Sequence, residues 1–134
     1  MDFKETKAIY LQIADYVCEQ ILLRRWQAGD RILSVRELGV NLEVNPNTVH
    51  RAYDFLQNKG IISNKRGIGY FAEADAIERV KVYKKQQFIE TDLPAIVKTM
   101  ALLGMSFDEL MELIVKREAC SSAPLTDQNV KREM

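Results

Sequence analysis

The stretch VNPNTVHRAYDFLQNKG, residues 44–60, decides how the rest of the chain is read. Asn45 offers a side-chain oxygen to a free N–H of a first helical turn. Pro46 follows at the one helical position where a missing N–H costs nothing. Val49, Ala52, Tyr53 and Leu56 then fall on the i, i+3, i+4, i+7 stripe of a helix with one apolar side. Gly60 is suited to the left-handed residue that ends such a helix. The pattern predicts a helix over 46–58. Its other side carries Asn47, Thr48, His50, Arg51 and Asp54, a set that is either simply solvated or displayed to a partner.

Working upstream, Ser34 and Glu37 have the spacing of a capping box, each side chain closing a free backbone N–H of the other. Val35, Leu38 and Leu42 give the short helix that follows an inner face, and only Glu43, Val44 and Asn45 separate it from the 46–58 helix. Two short helices joined so tightly form a helix-turn-helix pattern. Before them, Ile9, Ile13, Val17 and Ile21 predict a helix from about Ala8 to Arg25. Trp26 is expected to close the core at its end, and Arg31–Ile32 to form a short strand. Downstream of Gly60 the period changes. Ile61–Ile62 and Tyr70–Phe71 flank the turn-forming NKRG, a hairpin signal with a basic tip at Lys65, Arg66 and Gly67. Helix, helix-turn-helix and basic hairpin in that order describe a winged helix. The fold class expected is therefore mostly α with a small β-hairpin, followed by a helical C-terminal segment.

That segment begins at about residue 74. Asp75 and Glu78 are placed to cap a helix, TDLP to break or kink it, and residues 94–103 to form another, stopped by Gly104. Ser106 and Glu109 box the start of a last helix. Ile77, Val80, Phe88, Ile96, Val97, Met100, Leu103, Leu110 and Ile114 make this stretch too apolar to stand alone. They either fold back on the first core or pack against a second copy, and dimerisation is the reading preferred. The domains are accordingly 1–73, 74–119 and a frayed tail at 120–134.

Composition narrows the function. A chain of 134 residues with 47% hydrophobic content can bury a real core, yet its longest apolar runs are far short of the roughly 20 residues that span a bilayer. The N-terminus lacks the basic-then-apolar order of a signal peptide, so a cytoplasmic protein is expected. Cys18 and Cys120 are distant in sequence, and His50 is the sole histidine, so neither a disulfide, a metal site nor a cofactor is expected. Glu109 and Glu112 sit on adjacent turns as solvating groups rather than an acid–base pair, and enzymatic activity is not expected. The net charge is zero, but residues 20–70 hold eight Lys and Arg against four Asp and Glu, 8 − 4 = +4. A local basic face on a neutral molecule suits a sequence-selective binder, and an ordinary solvated face has the same count.

The polar side of the 46–58 helix has the chemistry for that task. Major-groove base edges are read by donors and acceptors near the start of an inserted helix. Asn can pair with adenine and Arg with guanine through two hydrogen bonds each. The candidate interface comprises Ser34, Arg36, Asn45, Asn47, Thr48, His50 and Arg51, with Lys65, Arg66 and Gly67 of the hairpin tip beside the backbone or in the minor groove. A winged helix serving only as a protein-interaction module is the rival reading.

The run YLQIADYVCEQI…AGDRILSVRELGVNLEVNPNTVHRAYDFLQNKGII…RGIGYF resembles the DNA-binding domain of the GntR family of bacterial transcription regulators, over about residues 8 to 72. The short helical remainder resembles the YtrA-type subfamily, whose small C-terminal domain chiefly dimerises. The resemblance implies a homodimeric repressor on a pseudo-palindromic double-stranded operator, with DNA contacts at Arg36, Asn45, Asn47, Thr48 and the 65–67 tip. A small-molecule effector is left open, and no membrane partner is implied. Ile32 and Leu33 stand where the family commonly has Leu-Pro. His50 stands where related regulators often carry arginine, and Pro46 where some carry a basic residue.

Overall fold

The computed structural model describes residues 7–120. Its helices are α1 (Ile9–Leu22), α2 (Val35–Leu42), α3 (Pro46–Asn58), α4 (Ala76–Gln87), α5 (Leu93–Leu103) and α6 (Phe107–Cys120), and its strands are β1 (Ile62–Lys65) and β2 (Gly69–Ala72). The chain divides into two compact units, one ending at Tyr83 and one beginning at Lys84. The division falls inside α4, where the sequence pattern suggests 73/74. The reason is the apolar face of α4: Ala76 and Val80 are fully buried in the first unit's core, and Ile77 and Tyr83 pack against it.

In the first unit α1 and α2 both pack on α3. The stripe read from the sequence is the core: Val49, Ala52, Tyr53 and Leu56 of α3 meet Ile13, Val17 and Ile21 of α1 and Leu38 and Leu42 of α2. The α3 helix ends in a Schellman motif. Gly60, at φ 73°, donates its N–H to the Gln57 carbonyl, and Ile61 donates to that of Leu56. The strands pair antiparallel with Ile62 opposite Ala72 and Lys65 opposite Gly69. The turn is therefore shorter than NKRG implies. Asn64 and Lys65 belong to β1, and Gly67 takes the positive φ, 77°, as Ile68 N–H returns to the Lys65 carbonyl. The short strand expected at Arg31–Ile32 is a single bridge, Arg31 to Phe71, backed by Ile32 N–H donating to the Tyr70 carbonyl. The first helix is shorter than Ala8–Arg25, because Arg24 turns to φ 61°. Trp26 does close that end of the core, edge-on to Tyr16.

In the second unit the disturbance expected at TDLP is a distortion of the helix and not a break. Pro94 sits near the start of α5, and the turn before it, Phe88–Asp92, widens to π-helical geometry. A wide turn absorbs the hydrogen bond that proline cannot make. Gly104 stops α5 at φ 68°, and Ser106 Oγ accepts from Glu109 N–H at the start of α6. At the start of α4, Asp75 takes the Arg79 guanidinium, with Nε 2.8 Å from Oδ2. No described residue of α5 or α6 is buried. The tail expected from residue 120 lies, beyond Cys120 itself, outside the described residues. Among the described residues no helix is long and apolar enough to cross a membrane.

Candidate nucleic-acid interface

The helix-turn-helix is built by three local devices. Ser34 and Glu37 form the reciprocal box, Ser34 Oγ accepting from Glu37 N–H at 3.0 Å and Glu37 Oε1 from Ser34 N–H at 2.9 Å. The bond from the Ser34 backbone N–H, with the Ser34 hydroxyl beside it adding, holds the Glu37 carboxyl below its ordinary pKa. At the other end of α2, Val44 N–H donates to the Gly39 carbonyl and Glu43 N–H to that of Val40, a second Schellman turn. Its left-handed residue is Glu43, at φ 57°. Gly39 then lets the two helices close. A Cβ there would lie 3.0 Å from the Val44 carbonyl oxygen and 3.5 Å from Pro46 Cα.

Asn45 begins α3 as expected, its Oδ1 accepting from Asn47 N–H at 2.8 Å. That bond commits the oxygen and leaves the amide N–H groups as what Asn45 can present. Asn47, His50 and Arg51 are exposed, Thr48 half-buried. Tyr53 locks the helix behind them: its phenol, buried under Tyr70, donates to the Leu33 carbonyl at 2.7 Å. Burial pushes the Tyr53 phenol well above its ordinary pKa. The polar residues thus stand on a helix fixed from inside, as readout requires.

The candidates are not equally free. The Arg51 guanidinium lies 4.1 Å over the Tyr10 ring of α1, and Lys65 Nζ lies 4.2 Å over the Phe71 ring. Both stay exposed but are drawn against aromatic faces, a weak attraction that a phosphate can outbid. His50 Nδ1 faces Asp54 Oδ2 at 3.4 Å. Arg36, Arg66 and Gly67 are exposed.

Arg31 joins these residues, although no motif marks it in the sequence. It lines an open groove of about 470 Å³ together with Ser34, Arg36, Glu37 and Asn41. Its guanidinium also lies over Gly69, where a Cβ would come within 2.9 Å of Nε. It therefore adds a cation between the start of α2 and the base of the wing. Its inclusion among the basic residues of 20–70 was the available signal. Two apolar assignments need correction: Ile77 and Val80, expected at a dimer interface, belong to the first unit's core, and Val80 is fully buried there.

A tight helix-turn-helix with a polar, exposed second helix and a basic two-stranded wing defines the winged-helix regulators. Residues 9–71 match the model of the gntR family of bacterial regulatory proteins. Over 112 residues the chain is 34% identical to YhcF, an HTH-type transcriptional regulator of Bacillus subtilis, spanning 82% of this chain and 89% of that one. It is 32% identical to the HTH-type transcriptional repressor YtrA of the same organism, over 85% and 87% of the two chains. A solved GntR family transcriptional regulator from Listeria monocytogenes superposes with a TM-score of 0.72 at 35% identity, covering 85% of this chain and 98% of that one. The chain belongs to the GntR family, a family of transcription regulators and not of enzymes.

Proposed function

We propose that the protein is a cytoplasmic, homodimeric repressor that binds a pseudo-palindromic operator by placing α3 in the major groove. Arg36 and the wing tip at 65–67 hold the phosphate backbone, while Asn47, Thr48 and their neighbours meet base edges. The observation that carries this reading is the exposed polar face at the start of α3, fixed from behind by the Asn45 cap and the Tyr53 bond. The similarity to a protein named as a repressor, YtrA, supports the direction of control.

The second unit supports the dimer. Phe88, Ile96, Val97, Leu103 and Ile114 are exposed, with Met100 and Leu110 half-buried, and helices of this size do not leave such faces in water without a partner. A twofold partner would set two copies of α3 about one DNA turn apart, roughly 34–36 Å. Selection from a pool of random duplexes tests the DNA reading. The wild-type chain should enrich a pseudo-palindrome, and Asn47→Ala should lose about 1–3 kcal/mol of discrimination at one base pair per half-site. A wild-type chain that enriches nothing, or an Asn47→Ala chain with unchanged preferences, defeats the assignment. For the dimer, Val97→Glu should sediment as a monomer at concentrations where the wild type sediments as a dimer. Equal sedimentation of the two would refute the interface.

A further inference from the structure

We propose that Asp54 fixes the tautomer of His50, so that α3 presents a hydrogen-bond acceptor to the major groove there and selects a base with an amino group, adenine or cytosine. This rests on the DNA-binding reading above and adds a specificity determinant to it. His50 Nδ1 lies 3.4 Å from Asp54 Oδ2, one helical turn on, and the two side chains are 57% and 55% exposed. The carboxylate is steadied from its far side, where Gln57 Nε2 lies 3.4 Å from Asp54 Oδ1. An ionised carboxylate only accepts. A neutral imidazole beside it therefore keeps its proton on Nδ1, and the Nε2 lone pair points away. An acceptor has nothing to offer a phosphate, nor N7 and O6 of guanine, nor O4 of thymine. The partners left on the groove floor are N6 of adenine and N4 of cytosine. An arginine at this position would do the reverse, donating to guanine. Asp54 thus turns the one imidazole on the recognition helix into a selective reader.

Because His50 is the sole histidine, the imidazole nitrogens of the untagged protein give a single pair of resonances. In the neutral ring, chemical shifts should report Nδ1 protonated and Nε2 bare, and Asp54→Ala should restore the Nε2–H form that free histidine side chains prefer. Selection from random duplexes should enrich adenine or cytosine at one position per half-site for the wild type. In Asp54→Ala that enrichment should fall about fivefold, the scale of one hydrogen bond. Overall affinity should rise as a negative charge leaves, an effect common to all sequences. The proposal is overturned by an Nε2–H ring in the free wild type, by a doubly protonated ring in the duplex complex, or by an unchanged base profile in Asp54→Ala. A wild type that enriches no sequence overturns the DNA-binding reading first, whatever tautomer the free protein shows.

Discussion

Glu43 carries the left-handed conformation on which the helix-turn-helix depends, at φ 57°. A side chain in that region costs roughly 1–2 kcal/mol relative to glycine, through the approach of Cβ to its own carbonyl. Glu43→Gly removes that cost and keeps both bonds of the turn, Glu43 N–H to Val40 and Val44 N–H to Gly39. Against this, glycine gains about 0.4–1 kcal/mol of freedom in the unfolded chain. The difference is a net stabilisation of about 0.5–1 kcal/mol. For a unit of this size that should raise the melting temperature by about 2–8 °C. Thermal unfolding by circular dichroism measures it, with Glu43→Ala as the control. Alanine removes the same charge but keeps a Cβ, and should melt within about 2 °C of the wild type. If glycine and alanine gave equal shifts, the left-handed strain would not be the operative term, and the account of the turn would be wrong.

Two further outcomes follow from the interface and its supports. Arg36→Ala and Arg66→Ala should each weaken binding to all duplexes alike and flatten the dependence of log affinity on log salt by about 0.9 per lost contact, measured by fluorescence anisotropy. A loss confined to one sequence would instead make that arginine a base reader. At the alkaline end, burial first, with Asp15, Cys18 and Tyr10 adding, pushes the Tyr83 phenol up to about 12. Its folded pKa then lies above the unfolded value of about 10, so this group leaves stability untouched below pH 10 and removes it progressively as pH rises from 10 through 12. Denaturant melts of Tyr83→Phe should lose part of that alkaline decline, and an identical decline would exclude Tyr83 as a source.

The first unit was legible because its signals are local. A capping box, an N-cap followed by proline and a Gly60 stop each specify backbone geometry over a few residues, and the stripe between them specifies the core. What escaped the sequence required neighbours far along the chain. Val80 and Ile77 have the apolar spacing that a dimer seam would also have, and only the packing of α4 assigns them inward. The π turn before Pro94 escaped because proline disfavours an ordinary helical turn without dictating whether the chain breaks or widens. Arg31 gave no motif at all; its place over Gly69 comes from strand pairing. Arg51 and Lys65 were legible as charges, but their rest positions over Tyr10 and Phe71 were not.

Net charge and selectivity meet in the same surface. Residues 20–70 carry four acids among eight bases, and an interface meant only for affinity would be better without them. Three of the four are occupied structurally. Glu37 closes the box that starts α2. Glu43 sits at the left-handed residue between the helices. Asp54 stands against His50 and Gln57 on α3. Each acid weakens the uniform attraction to phosphate that makes binding indifferent to sequence. Asp54 is the one of the three set against a group that can read sequence, His50. Removing Asp54 should therefore tighten binding to every duplex while blunting choice among them, whereas removing Arg36 should loosen binding to all and leave choice intact. Affinity and discrimination moving in opposite directions at Asp54, and affinity alone at Arg36, is the pattern expected of a surface that gives up general attraction for fixed geometry.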